Sequence, residues 1–363
     1  MGIRLFIGGI ILAGALIRAA AGTVSLTPDE ITSLRALVAS QPAVAREFAG
    51  IHRQADAALA ATPNPIERVV SEGHLDKDPL KIRTGQSLPD LQKIEALATT
   101  WAVTGDGRYA DKAREFILAW ARVNHSDGDA INETQFEPLI TGYDLLRGAF
   151  PAANRATVDA WLREKANVAW KDHRGLTGNW YSHRLKIVGL IGWTIGDATL
   201  ANEAVAGYRK HIVGNLKPDG ASSDYYLRDA LHYHLYDIEP LLSLARAAER
   251  NGIRLFDEPS AGGSTLHAGV EFVVPFANGT QTHMEFVKTR VPFDLKRAKN
   301  GQGEYAPHLW KPSSSVRLFS LAAWFHPEYG TLAARLAGHP DEPYFNWVMV
   351  INAVSRHDPA AGK

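Results

Sequence analysis

From Leu91 to Ile212, apolar residues return at three- and four-residue steps, stop at a few polar or glycine residues, and start again. That period is helical. Leu91 to Val103 makes one run, closed by Thr104-Gly105-Asp106-Gly107. Tyr109 to Val123 makes the next, with Phe116, Ile117, Trp120 and Val123 on one face. Asn124 to Asp129 is rich in turn formers. Pro151 then opens a helix over Ala152 to Trp170. Ile187 to Ile195 is apolar, and Gly189 and Gly192 within it let neighbouring helices approach closely. Ala201 to Ile212 follows, ending before the turn Lys217-Pro218-Asp219-Gly220. Upstream, Thr27-Pro28-Asp29-Glu30 reads as a helix start: a capping hydroxyl, proline at the first position, then acids in the first turn. A second helix is expected over Val44 to Ala60, broken at Pro63-Asn64-Pro65. Val316 to Phe325 and Gly330 to Ala337 return to helix.

No strand-like alternation of any length precedes residue 265. Beyond it, Val270 to Phe276 and His283 to Val287 read either as strands joined at Asn278-Gly279 or as loop segments along the helices. Residues 71 to 90 are polar and irregular, so a long connection is expected there. Its lysines and Arg83 are placed to reach an acidic ligand or to stay solvated. Helix, short break, helix, at roughly 20 to 45 residues per pair, stacks as a solenoid or closes into a ring of hairpins. The fold class is therefore mainly all-α, with at most a short β-hairpin near residues 270–290.

One stretch departs from plain amphipathicity. Asp224 to Tyr236 packs tyrosine, histidine, arginine and aspartate into about three helical turns. Leu227, Leu231, His234, Ile238, Leu241 and Leu244 face a core. Arg228, His232 and Tyr236, four apart, form a second stripe. Pro240 should kink or split this helix. A wall of Arg, His and Tyr suits proton chemistry in a cleft, although such tips can equally satisfy one another. His232 and His234 are two apart and do not share a helix face, which argues against a metal pair.

Composition narrows the picture less. Lys plus Arg equals Asp plus Glu, 39 each in 363 residues, so the overall charge selects no polyanionic partner. Nine tryptophans and eleven tyrosines supply flat surfaces for a core or for sugar rings. With no cysteine, thiol catalysis and thiolate metal sites are excluded. Arg4, the apolar run Leu5 to Ile17 and Ala19-Ala20-Ala21 read as a signal peptide over residues 1–21, cleaved after Ala21. Residues 22–363 are then one domain, periplasmic or secreted.

The chain has no Gly-rich phosphate loop, no Gly-x-Ser-x-Gly turn and no His-Glu-x-x-His helix. Three clusters carry candidate chemistry: Gly178 to Arg184, Asp224 to Tyr236, and Asn132-Glu133 with Glu137. Ile131-Asn132-Glu133-Thr134 with Phe136-Glu137-Pro138-Leu139, then Asn179 to His183, Ala230 to His234, and the tail Gly263 to Arg297 together resemble the alginate lyase superfamily. The resemblance implies an incomplete (α/α) toroid with a cleft for an acidic polysaccharide such as alginate or glucuronan. It implies metal-independent β-elimination with no cofactor, and neither a nucleic-acid partner nor, in the mature form, a membrane. The protein is expected to be a monomer.

In that family an asparagine and a histidine quiet the uronate carboxylate, and a tyrosine moves the C5 proton. By resemblance Asn179 and His183 are the donors, Tyr233 is the base, and Arg228 binds the carboxylate or favours the phenolate. Trp180, Tyr181, Arg184, Tyr226, His232, His234 and Tyr236 are the substrate-binding candidates, with Arg83, Asn132 and Glu133. Well-known members carry the asparagine and histidine side by side. Here Trp180-Tyr181-Ser182 intervene, so His232, His234 or Tyr236 are alternative holders of these roles. Two other readings are a toroid hydrolase using Glu133, Glu137 or Asp224, and a non-catalytic periplasmic polyuronate carrier.

Overall fold

A computed structural model describes residues 23–355. The expected signal peptide lies outside them. Helix α1 (Pro28–Ser40) starts as the sequence indicates: the Thr27 hydroxyl accepts from the Glu30 N–H, and the Glu30 carboxylate accepts from the Thr27 N–H at 2.7 Å. α2 (Pro42–Leu59) follows at once. The connection expected over 71–90 is partly helical. Asp78 accepts from the Leu80 N–H at 2.8 Å, and Pro79 opens α3 (Pro79–Ser87). α4 (Pro89–Thr104) ends on left-handed Gly105, and Asp106 caps α5 (Gly107–Val123).

After the short α6 (Ala130–Glu133) come α7 (Glu137–Leu146), α8 (Ala152–Lys171), α9 (Gly178–Ile195) and α10 (Ala198–Asn215). The close approaches expected at the glycines of α9 are present. A Cβ on Gly189 would lie 2.5 Å from Leu244 Cδ1, and one on Gly192 2.6 Å from the Ala201 nitrogen.

The Asp224 to Tyr236 stretch is not one helix. α11 (Ser223–Arg228) ends at Asp229, whose φ is 52°, and α12 (Leu231–Arg250) begins two residues on. Asp229 rarely tolerates this conformation without help. Its carbonyl accepts from the Phe286 N–H at 2.7 Å, and its carboxylate from the Lys288 N–H at 2.7 Å. Pro240 does not split α12, which runs through it.

α13 (Leu266–Glu271) and α14 (Val274–Ala277) replace the first expected strand. Val270, Val273 and Phe276 are the buried positions there, three apart, so burial follows the helical period and not the alternating one. Thr265 caps α13. Strand β1 (Met284–Glu285) pairs antiparallel with β2 (His308–Leu309), on the far side of α15 (Pro292–Lys299). α16 (Val316–Ala322), α17 (Glu328–Leu336) and α18 (Trp347–Ser355) complete the described chain.

Each inner helix packs on the next in the order α4, α7, α9, α12, α16, while α2, α5, α8 and α10 form an outer layer. The main apolar core fills the space between the layers. The last arc is closed by α18 against α1 and α16 and not by another hairpin, so the (α/α) toroid is incomplete. No described helix is long and apolar enough to cross a membrane.

Candidate active site

The site is built where α9, α11 and α12 begin or end. Gly178 opens α9 with φ 61°, and a Cβ there would lie 2.5 Å from Asp224 Oδ2. This close approach admits only glycine and lets the carboxylate accept from both the backbone N–H (2.5 Å) and Nδ2 (2.7 Å) of Asn179. The amide has two N–H groups, and one remains for a ligand. Asp224 also lies 3.8 Å from Nε of Arg228.

Arg228 reaches Tyr233 across the break at Asp229. Its guanidinium carbon sits 3.7 Å from the centre of the Tyr233 ring, and Nη1 donates to the fully buried Asp294 at 2.5 Å. Tyr233 Oη accepts from Arg297 Nη1 at 3.0 Å, and Arg297 lies 3.6 Å from Glu72. Burial pushes the Tyr233 phenol well above its usual range, although Arg228 and Arg297 both favour the phenolate. Phe286 and Tyr236 meet the same ring edge-on at 6.1 and 6.2 Å.

His183 lies one turn after Asn179, so the three intervening residues keep the pair on one helix face. Its Nδ1 shares a 2.8 Å hydrogen bond with Thr134 Oγ1, and its ring lies 4.3 Å from that of Tyr236. Burial, then the nearby Lys186 cation, holds His183 far below the ordinary histidine pKa, so it is neutral. His232 stacks parallel to Tyr236 at 6.4 Å and meets Tyr233 edge-on at 5.0 Å. It is solvent-exposed, yet desolvation followed by Arg228 lowers its pKa. Protein surrounds it on several sides while water still reaches it, which is the signature of a groove.

Two cavities border the cluster, one lined by Arg228 and the other by Tyr236, and Tyr233 lines neither. One, about 980 Å³, is lined by Asn179, Trp180, Tyr181, Tyr226 and Arg228, with further cations from Arg174, Lys210, Lys217 and Arg290. The other, about 560 Å³, follows the toroid axis and is lined at one end by His183 and Tyr236. Behind Asn179, the buried Asp237 accepts from Ser182 Oγ (2.5 Å) and Asn215 Nδ2 (2.8 Å), tying α9, α10 and α12 together.

Several sequence candidates stand away from this cluster. His234 is fully buried. Its Nδ1 accepts from the Ser222 N–H at 3.1 Å and Nε2 donates to the Gly269 carbonyl at 2.8 Å, so both nitrogens are spent on the fold. Arg184 is buried too, donating to the Arg174 carbonyl and lining neither cavity. Glu133 forms a buried pair with Lys165 at 2.6 Å. The Asn132 amide oxygen accepts from the Ser71 N–H (2.7 Å) and hydroxyl (2.9 Å), bracing the loop that carries Glu72. Arg83 is exposed on α3. The hydrolase candidates are likewise occupied: Glu137 pairs with Lys186 at 2.6 Å, and Asp224 holds Asn179.

Residue reasoning missed Arg297, Asp294 and Glu285. Glu285 is fully buried and accepts from the His232 N–H at 3.2 Å, meeting the positive start of α12. Burial first, against the bonds it accepts from α12, raises its carboxyl to about 7. All three lie in or near the tail marked by the family resemblance, which carried no signal for their roles.

A model of the family described as alginate lyase matches residues 45–283. An alginate lyase of Stenotrophomonas maltophilia (strain K279a) is 26% identical over 184 residues, covering 45% of this chain and 25% of the relative. The match thus spans a quarter of that relative's length. Among solved structures, an alginate lyase from Bacteroides ovatus superposes with a TM-score of 0.70 at 16% identity, covering 92% of this chain and 99% of that one. Alginate lyase A1-III from Sphingomonas species A1 gives 0.55 at 21% identity, covering 72% and 81%. At these identities the structural likenesses speak for the fold.

Proposed function

The chain belongs to the alginate lyase family, and from that premise we propose that it is an exported polysaccharide lyase. It cleaves an acidic polyuronate, of the alginate (mannuronan) or glucuronan type, by metal-independent β-elimination and leaves 4,5-unsaturated uronate ends. One observation carries the reading: Asn179, Asp224, Arg228 and Tyr233 form an unbroken run of contacts from three helices.

The chemistry follows from that run. The C5 proton of a uronate is only weakly acidic while the adjacent carboxylate is charged. The free N–H of Asn179 and the neutral His183 donate to that carboxylate and stabilise the enediolate that develops. As the phenolate, which Arg228 and Arg297 favour once its own proton has left, Tyr233 takes the C5 proton, the electron pair forms the C4–C5 double bond, and the C4–O bond breaks. Where C5–H and C4–O lie on one face of the sugar, Tyr233 returns the proton to the departing oxygen. Arg297 holds the phenol oxygen in position. Trp180, Tyr181 and Tyr226, among the cations of the larger cavity, offer faces and charge to neighbouring sugars.

The test is incubation with alginate, polymannuronate, polyguluronate and glucuronan, following ultraviolet absorbance and product size. Absorbing products are expected from at least one polymer, with the initial rate unchanged by a chelator. New reducing ends without absorbance would mean hydrolysis. Binding without turnover would mean a carrier. Export predicts a mature chain beginning at Gly22 in a periplasmic or secreted fraction, and the mature chain should elute as a monomer.

A further inference from the structure

We propose that Asp257, His267 and His326 form a metal site for a borderline divalent transition cation, zinc being the first choice, independent of the lyase reading. The three residues come from separate segments: the loop after α12, the first turn of α13, and the turn between α16 and α17. One ligand atom from each lies within 4.8 Å of the others. His267 Nδ1 is 2.9 Å from Asp257 Oδ1, and His326 Nε2 is 3.4 Å from Asp257 Oδ2. A tetrahedral ion with bonds of about 2.0–2.2 Å spaces its donors by roughly 3.3–3.5 Å. The two nitrogens approach different oxygens of Asp257, so a small turn of the carboxylate, with the first contact opening by about half an ångström, would present one oxygen to an ion between the rings.

The far nitrogens explain why a cation belongs there. His267 Nε2 lies 2.9 Å from Tyr329 Oη, and that hydroxyl gives its own proton to Glu271. His326 Nδ1 lies 3.2 Å from the Glu328 carboxylate. Each far nitrogen therefore carries a hydrogen, so in a neutral ring the near nitrogen presents a lone pair. Those lone pairs face the oxygens of Asp257. A cation between the three groups meets both lone pairs and the carboxylate. Backing a ligating imidazole with a hydrogen-bond acceptor on its other nitrogen is the usual support of a metal centre.

Packing fixes the rings in advance. His267 stacks on Phe256 at 5.0 Å, His326 lies 5.4 Å from the same ring, and Phe256 stacks on Phe325 at 4.3 Å. The His267 N–H donates to the Phe256 carbonyl at 3.1 Å. Among the described residues, no lysine or arginine pairs with Asp257, Glu271 or Glu328, so the surroundings favour a cation. Two imidazoles and one carboxylate suit zinc and its transition-metal neighbours and not magnesium or calcium, which prefer all-oxygen sets. Both histidines keep about 30% of their side-chain surface exposed, which leaves room for water as a fourth ligand. None of the three residues lines either cavity. The ion's role is to tie three segments of a chain that has no cysteine.

The experiment uses the tag-free mature chain, stripped with a chelator and dialysed. Zinc chloride titrated by calorimetry should bind at one equivalent, and zinc should raise Tm by several degrees where magnesium does not. His326→Gln and Asp257→Asn should each lose the stoichiometric binding and the Tm rise, while their Tm in chelator stays within a few degrees of the wild type. The initial rate on polymer well below Tm should not respond to zinc. Absence of stoichiometric zinc binding, or an equal Tm rise in the wild type and both variants, overturns the site.

Discussion

The two cavities that border the site differ in how far their charges are paired. The larger one gathers Arg174, Lys210, Lys217, Arg228 and Arg290 around a single lining acid, Asp224. Arg174 and Arg228 pair with Asp172 and Asp294 behind the wall, and Lys210, Lys217 and Arg290 make no ion pair among the described residues. The axial one mixes Lys186, Arg246, Arg250 and Arg317 with Glu95, Glu137 and Glu239. There most cations are paired: Lys186 with Glu137, Arg317 with Glu239 at 3.2 Å, and Arg250 with Glu30. Burial alone would raise Glu137, but Lys186 and Arg317 outweigh it and hold its carboxyl at about 2. Burial is not outweighed at Glu95 and Glu239, whose carboxyls rise to about 7. Unpaired positive charge on a wall attracts an anion, whereas paired charge ties the helices that carry it together.

The strongest test separates two neighbouring tyrosines, Tyr233 beside Arg228 and Tyr236 in the wall of the axial cavity. Tyr233→Phe should lower kcat by about 10³-fold, within the range for removing a general base, while Tyr236→Phe should cost less than about tenfold. Steady-state ultraviolet assays check both. Equal losses would move the chemistry toward the axial cavity.

Next in size is Glu137→Gln, which breaks an axial pair. It should cost about 3 kcal/mol of stability, the low end for a buried pair, because Glu137 keeps 25% of its side-chain surface. Denaturant unfolding measures it, and the salt dependence of KM should not change. The paired change Lys210→Ala with Lys217→Ala should do the reverse. KM should rise by about tenfold at low salt, the difference should fade at high salt, and unfolding should be nearly unaltered.

The smallest effect at neutral pH concerns the histidines that hold α10 and α12. Burial, against the bond to Gly269, lowers His234 to about 4, and burial lowers His211 to about 3. The unfolded chain binds protons near 6.5 while the folded chain does not. Stability is therefore complete above pH 6.5 and declines as pH falls toward 4. Unfolding curves at pH 7.0, 5.5 and 4.5 should show that order, with the chain weakest at 4.5.

Much of the site was legible because its residues sit at helix starts. Asn179 and His183 are one turn apart, and the helical period alone puts them on one face. Arg228, His232 and Tyr236 show where such reasoning stops. The assumed stripe is interrupted at Asp229, because residues 286 and 288 bind that residue from outside the helix. Arg228 consequently lies over Tyr233 and not one turn before His232. His234 looked like a third site histidine, but its partners Ser222 and Gly269 are visible only once α13 has docked. Residues 270–276, read as a strand or a loop segment, are helical for a related reason: their buried face is set by the helices beneath them, while 284–285 does form a short strand.

What the amino-acid order determined by itself was local. The Thr27 and Glu30 cap, the Asp78-Pro79 start, the Gly105 stop and the close approaches at Gly189 and Gly192 follow from groups a few residues apart or from a missing side chain. Folding decided which charges are spent and which remain. Asn179 meets its carboxylate 45 positions along the chain, and Tyr233 meets Arg297 64 positions along. A charge's partner depends on distance in space and on how much water the fold leaves around it, and neither quantity is written in a run of neighbouring residues.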